Sequence, residues 1–266
     1  MAVQVGVQIQ PQHATYAGMR AAWREADEIG ADMIFTWDHF HPLFGNRDGA
    51  HFEGISLLAA MAEVTEQAQI GGLVFCNSYR NPELLADAHR TIDHISGGRV
   101  ILGIGAGWFQ RDYDEYGYEF GAAPDRLRAL RDALPRIESR LAKLNPPALG
   151  DMPLLIGGSG PQVTLRLVAE HAQYWHGFGD VADYRHKAEI LREHCERIGR
   201  DPSEIVHTRG ISASDLERAA QLHEAGVGVI TVGLDGHGDR YDLGPLRELL
   251  TWRDEVNACS LPPMPR

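Results

Sequence analysis

The sequence predicts a single (β/α)8 TIM barrel, an α/β fold, over residues 1–266. Three observations lead there. Eight short apolar runs alternate with helix-compatible segments, the connections between them are short, and 266 residues suit the roughly 250 that eight such units occupy. A doubly wound open sheet is the other fold that this alternation allows, at a lower repeat number.

The eight runs lie near residues 3–9, 32–37, 69–75, 99–104, 153–157, 174–178, 204–209 and 227–232. A recurring junction sets their order: a helix-period stripe stops at glycine and a β-branched run follows at once. Met19, Trp23, Ala26 and Ile29 make one stripe, closed by Gly30 ahead of Ala31 to Thr36. Leu84 to Ile95 leads through Gly97 and Gly98 into Val100 to Ile104. Ser214 to Ala225 leads through Gly226 into Val227 to Val232, and Ser214 with Glu217 reads as a capping box that starts this last helix. The runs at 174–178 and 204–209 have the least regular pattern. Asn145 to Gly150 is a loop too short to tether two domains.

Composition narrows the function. With 25 basic and 37 acidic residues the net charge is −12, so nucleic acid and anionic membranes are disfavoured as partners. An anionic small ligand in one local pocket is still allowed. Only Lys143 and Lys187 are lysines, which leaves little room for Schiff-base chemistry. Cys76, Cys195 and Cys259 are widely spaced and odd in number, which suits a reducing compartment better than a disulfide framework or a zinc site. Met1 to Gln10 has no basic, apolar leader pattern, and no run approaches the roughly 20 apolar residues of a membrane span, so a cytoplasmic protein is expected.

A barrel carries its chemistry at the C-terminal ends of its strands. The second run enters Trp37-Asp38-His39-Phe40-His41-Pro42, and the third enters Phe75-Cys76-Asn77-Ser78-Tyr79-Arg80. The fourth enters Gly105-Ala106-Gly107-Trp108-Phe109, the fifth Gly157-Gly158-Ser159-Gly160-Pro161, and the sixth His176-Gly177-Phe178-Gly179. Glycines before a helix let backbone N–H groups approach an anion, with Pro161 fitting as the first helical residue. The Gly157–Gly160 loop is thus either a phosphate seat or a bare tight turn. Gly103-x-Gly105-x-Gly107 lacks dinucleotide-fingerprint spacing and reads as a turn. His39 and His41 form an HxH pair; a metal-dependent hydrolase would add ligands such as His176, His207 and Asp235, but no metal is expected. His39 suits proton transfer, with Asp38 as the adjacent carboxylate able to fix its tautomer. Trp108 to Phe120, rich in aromatic and acidic residues, is either a lid over a flat ligand or a segment packed on the barrel rim.

Taken together, these strand ends resemble the bacterial luciferase-like superfamily, in its branch of coenzyme F420-dependent oxidoreductases. The resemblance spans almost the whole chain. It rests on Trp37-Asp38-His39-Phe40, on Asn77 to Ala86, on Asp93-His94-Ile95-Ser96-Gly97-Gly98-Arg99, on Leu102 to Trp108, and on Ile156 to Gly160. It implies a homodimeric barrel with the deazaflavin across its mouth, hydride transfer at the deazaflavin C5, and an unidentified small-molecule substrate. It also implies that Asp38, Leu73, Val74, Cys76, Asn77, Gly105 and Gly107 contact the cofactor, and that Leu73 to Cys76 forms a bulge with a non-proline cis peptide. Gly157, Gly158, Ser159 and Gly160 would hold the phosphate with Gly179. His39, together with Asp38, would be catalytic, and Trp37, Trp108 and Phe109 would border the substrate. An FMN-dependent monooxygenase of the same superfamily is the alternative, and a cofactor carrier without substrate chemistry is a further one. Where the family's sugar-phosphate dehydrogenase has an acidic glutamate and a lysine, this chain has Trp108 and Asp180, which disfavours a sugar phosphate. The long insertion that many relatives carry before the fifth strand is absent.

Overall fold

The computed structural model describes residues 2–259, and its main sheet has no free edge. In chain order the elements are β1 (Gln4–Ile9), α1 (Tyr16–Glu28), β2 (Met33–Thr36), α2 (Gly54–Val64), β3 (Gln69–Gly72), β4 (Phe75–Cys76) and α3 (Pro82–Ser96). Then come β5 (Val100–Gly105), α4 (Gln110–Tyr116), α5 (Ala123–Leu141), β6 (Leu154–Gly157), α6 (Thr164–His171), β7 (Tyr174–Gly177) and α7 (Val181–Ile198). The chain finishes with β8 (Val206–Ser212), α8 (Arg218–Glu224), β9 (Val229–Leu234), the small hairpin β10 (Gly236–His237) and β11 (Arg240–Tyr241), and α9 (Gly244–Cys259).

Parallel pairing runs β3-β2-β1-β9-β8-β7-β6-β5-β4, and a further β3–β5 pairing closes the ring. Since β3 and β4 together form one stave, the barrel has eight staves, and the doubly wound alternative is excluded. That third stave carries an extra residue. Gly71 pairs with Ile101, but Phe75 pairs with Ile104, so four steps on one strand match three on its neighbour. Such a mismatch is a β-bulge, which re-aims the residues that follow it. The Leu73–Val74 peptide inside it is cis.

Two apolar layers follow from strand alternation. Met33, Phe35, Ile101, Leu155 and Val229 fill the barrel interior with Leu73 and Val74 against them. The opposite faces, including Val5, Val7, Ile34, Ile70, Leu102, Ile156, Trp175 and Ile230, pack under the helices. The Asp93–Arg99 motif is a structural staple outside the wall of the cavity described below. Arg99 donates to the carbonyls of Thr65, Ala68 and Ser96, and Asp93 accepts from the N–H groups of Val100, Leu149 and Gly150. Residues 142–153 join α5 directly to β6, with no domain-sized insertion.

Three expected boundaries shift: the run at 227–232 forms two residues later, as Val229–Leu234, because Val227 and Gly228 belong to the turn that leaves α8. The run at 204–209 begins two residues late and extends to Ser212, because Pro202–Glu204 is a 3-10 turn. The capping box does not form: the Ser212 and Ser214 hydroxyls bond each other, Asp215 N–H turns back to the Ser212 carbonyl, and α8 starts only at Arg218.

Candidate active site

A cavity of about 570 Å³ opens at the C-terminal ends of the staves. Of the expected residues, Trp37, Asp38, His39, Leu73, Val74, Cys76, Gly105, Gly107, Trp108, Gly157 and Gly158 line it. Asn77, Phe109, Ser159, Gly160 and Gly179 sit beside it rather than on its wall. The bulge projects Val74 into the barrel, and its neighbours must make room. A side chain on Gly105 or Gly157 would begin 2.8–2.9 Å from the Val74 methyls, closer than carbon atoms pack. The Gln8 amide, from the end of β1, donates to the Leu73 carbonyl at 2.8 Å and holds the bulge from the other side.

The Asp38 and His39 side chains point to different partners, as neighbours on an extended strand do. Asp38 is buried and receives both arms of Arg80, at 2.6 and 2.7 Å, together with the Cys76 N–H at 2.9 Å. Burial raises the Asp38 pKa above the usual carboxylate value, opposed by the Arg80 guanidinium and the Cys76 N–H. Arg80 also bonds Glu53 at 2.6 Å, so one guanidinium clamps the ends of β2 and β4 to the start of α2. The carboxylate that orients His39 is Asp112 of α4: Asp112 Oδ2 lies 2.8 Å from His39 Nδ1. Asp112 Oδ1 meets His41 Nδ1 at 3.1 Å, and the Phe40 N–H and the Tyr79 hydroxyl also donate to Asp112. Burial alone would raise the Asp112 pKa, but His39, His41 and the Phe40 N–H hold it below the usual range. With a carboxylate at Nδ1, His39 carries its proton there, and Nε2 is left as the basic atom.

From His41 the chain of contacts continues outward, Nε2 meeting the exposed Glu115 carboxylate at 2.9 Å. Behind Trp37 stands His51, which accepts the indole N–H at 2.9 Å and stacks on the ring. Burial and the neighbouring His39 push His51 down to about 4, so it is a neutral acceptor that fixes the Trp37 ring. The Trp108–Phe120 segment packs on the rim: Tyr113 is fully buried against Tyr79, Tyr118 and Phe120. Only Trp108 stands free at the mouth, with Phe44 and Phe178, all above 60% exposed.

The glycine loop differs in detail from its expected form. Gly158 adopts φ +127°, a backbone region that favours glycine, and its N–H is already bonded to the His176 carbonyl. Pro161 is not the first helical residue; residues 161–163 make a turn and α6 begins at Thr164. Among the described residues, no group of three or more His, Cys, Asp and Glu is placed to hold a metal ion. Of the histidine's suggested companions, His207 bonds Tyr184 in the helix layer and Asp235 receives Gln12. Asp112, Tyr79, Arg80, Glu53, Gln8 and His51 are the working partners that motif spacing did not single out. Tyr79 and Arg80 lay within a quoted motif and Asp112 within the Trp108–Phe120 segment, but their roles became readable only when the barrel set Asp38 opposite Arg80 and His39 opposite Asp112.

The family model described as luciferase-like monooxygenase matches residues 1–241. The chain belongs to the luciferase-like monooxygenase family. Over 111 residues it is 34% identical to the F420-dependent glucose-6-phosphate dehydrogenase of Amycolatopsis mediterranei, covering 41% of this chain and 33% of that protein. Over 219 residues it is 28% identical to the enzyme of the same name from Kineococcus radiotolerans, covering 75% of this chain and 64% of that one. The chain thus spans less than two thirds of the length of these relatives. An F420-dependent secondary alcohol dehydrogenase, solved with an F420-acetone adduct, shares the barrel with a TM-score of 0.80, at 16% identity over 93% of this chain and 98% of that one.

Proposed function

We propose that the protein is a coenzyme F420-dependent oxidoreductase acting on a neutral, largely apolar organic substrate. His39 on the cavity wall, backed by the buried Asp112, carries this reading: Nδ1 is committed to Asp112 at 2.8 Å, so Nε2 is the atom that takes a proton from a substrate oxygen or returns one. Relatives named as F420-dependent dehydrogenases support the cofactor. The residues fit such a group. Val74 and the flanking Gly105 and Gly157 leave a flat floor, while the Thr231 and Ser159 hydroxyls are buried without partners. Val74, Cys76, Gly105 and Gly107 would border its ring, and Ser159 with Gly160 would meet its phosphate. When bound, the deazaflavin supplies a carbon that accepts or donates hydride. Asp38 and Arg80 hold the Cys76 backbone in place, as positioning residues.

The substrate class follows from the walls. Among the described residues no lysine or arginine lines the cavity, and Leu43, Phe44, Trp108 and Phe178 make its mouth apolar. Asp180, at the position where a relative has lysine, accepts the Asp183 N–H and caps α7. A sugar phosphate would bring charge to walls that offer it no cation. The reading includes a cytoplasmic homodimer: all three cysteines are unpaired, as in a reducing compartment, and the dimer follows the family resemblance.

The decisive measurement titrates purified protein with F420 and with FMN, following fluorescence. Tight F420 binding with weak FMN binding is expected. Tight binding of FMN alone, with oxygen consumed on reduction, would replace this reading with a flavin monooxygenase.

A further inference from the structure

The second histidine of the His39–His41 pair has no part in the proposed chemistry, and it lies off the cavity wall that His39 joins. Its surroundings are nonetheless specific. Asp112, whose carboxylate is fully buried, stands between the two rings, with Oδ2 at 2.8 Å from His39 Nδ1 and Oδ1 at 3.1 Å from His41 Nδ1. On the far side of the second ring, His41 Nε2 meets Glu115 Oε2 at 2.9 Å, and Glu115 is half exposed. Arg111 in turn grips Glu115 at 2.5 Å, Asp48 at 2.7 Å and the Arg47 carbonyl at 2.6 Å. The hydrogen bond from Arg111 is the first cause that holds the Glu115 carboxyl below its usual range, so it is charged at neutral pH.

The protonation of each ring follows from these contacts. A carboxylate only accepts, so a ring nitrogen that faces one must carry hydrogen. His39 meets this demand at one nitrogen and keeps a basic Nε2. His41 meets it at both, which only the imidazolium can do. The other groups around His41 leave that account unchanged: Tyr116 packs edge-on with ring centroids 6.0 Å apart, and His51 is neutral. Two imidazoles on one buried carboxylate thus hold a single positive charge, on the ring nearer the surface. His39 is hemmed in by comparison, with Trp37, Trp108 and Phe109 edge-on around it at centroid distances of 5.7, 5.6 and 5.4 Å. If it gained a proton while His41 kept both of its own, two cations would share Asp112, and like charges disfavour each other.

We propose that His41 is a positioning residue that acts through Asp112: as His39 Nε2 gains the proton of a substrate hydroxyl, His41 Nε2 releases one to Glu115 and on to water. One proton enters the cluster and one leaves it. Asp112 stays a carboxylate throughout, and no proton crosses it. The substrate's hydride goes to the bound cofactor, so the cluster handles protons alone, and in the reducing direction each transfer reverses. The use of the pair in catalysis rests on the F420 reading, whereas the coupling belongs to the ligand-free chain.

The test is a pH titration of the ligand-free protein, followed by the nitrogen NMR resonances of the imidazole rings. In wild type, His39 and His41 should each report the same two steps, because a coupled pair titrates as a unit. Two independent single steps would overturn the inference. His41→Asn keeps a donor for Asp112 and removes the charge, so His39 should take up its proton about one pH unit higher and in one step. Were His41 only a brace, His41→Asn would lower the melting temperature and leave the His39 midpoint in place, which also overturns it. Glu115→Gln changes an exposed residue, keeps an acceptor for His41 Nε2, and serves where His41→Asn does not fold. It should move the His41 step to lower pH, and an unmoved step removes the exit and rejects the inference. F420 binding to the same samples is read separately: coupled steps without deazaflavin affinity overturn the F420 reading and leave the pair standing.

Discussion

Between β2 and β5 the charged groups at and behind the cavity wall are paired off by the protein, whereas on β8 the buried Arg209 keeps two unpartnered donors. Asp38 has Arg80 and the Cys76 N–H; Asp112 has His39, His41, Tyr79 and the Phe40 N–H. On the far side Ser159 Oγ and two donors of Arg209 face no partner. On the proposed reading, proton transfer at His39 needs geometry fixed before the substrate arrives, and the hydrogen bonds on that side are already made. On the far side the unmet donors lie under the surface, where burial without hydrogen bonds costs free energy.

The largest effect that would break this contrast is at His39. His39→Ala should slow hydride transfer roughly 10²–10⁴-fold in single-turnover kinetics while cofactor affinity stays within a small factor. If rate and affinity fell together, His39 would belong to binding and the division of labour would fail. Next is Asp38→Ala, which leaves Arg80 half-buried with only Glu53. Breaking such a pair should lower the free energy of unfolding in urea by about 3–5 kcal/mol. A stability near that of wild type would show that the paired side is not held together by its charges.

The smallest effect is on pH dependence. Burial pushes His51, His89 and His207 down to about 4 and His176 to about 3. The unfolded chain takes up these protons below about pH 6.5, and the folded protein does not. Stability is therefore full well above pH 6.5 and is lost as pH falls toward 4, by about 2 kcal/mol per histidine near pH 5. The charge of Arg209 is the second cause at His176 and His207. Arg209→Met should accordingly show a smaller drop between pH 7.5 and pH 3.5 in urea titrations, the difference opening below pH 5. An equal drop would mean that the charge of Arg209 does not reach those rings.

The strands were legible where β-branched residues sit on both faces of a buried stave, as at Val100 to Ile104. They were least legible at Val206 to Ser212, where His207 and Arg209 replace apolar residues in the helix layer and blur the pattern. The Ser214–Glu217 spacing had the letters of a cap, but the Ser212 hydroxyl competed for Ser214. At the site, His39 was readable from its strand end. Its true partner was not, because Asp112 lies 73 residues away and only barrel closure brings α4 beside β2. The glycines were readable as special, yet two of them make room for Val74 rather than for an anion.

The extra residue between Gly71 and Phe75 makes chain length itself a conserved quantity of the fold. As built, Phe75 packs under the helices against His89, and Cys76 turns toward the cavity and Tyr113. Side chains alternate with a period of two, so deleting one residue from this stretch would exchange those faces. The thiol would enter the helix layer, the phenyl ring would block the cavity, and Asp38 would lose the N–H it now holds. Substitutions along Leu73 and Val74 can be absorbed by repacking. A one-residue deletion has no local repair.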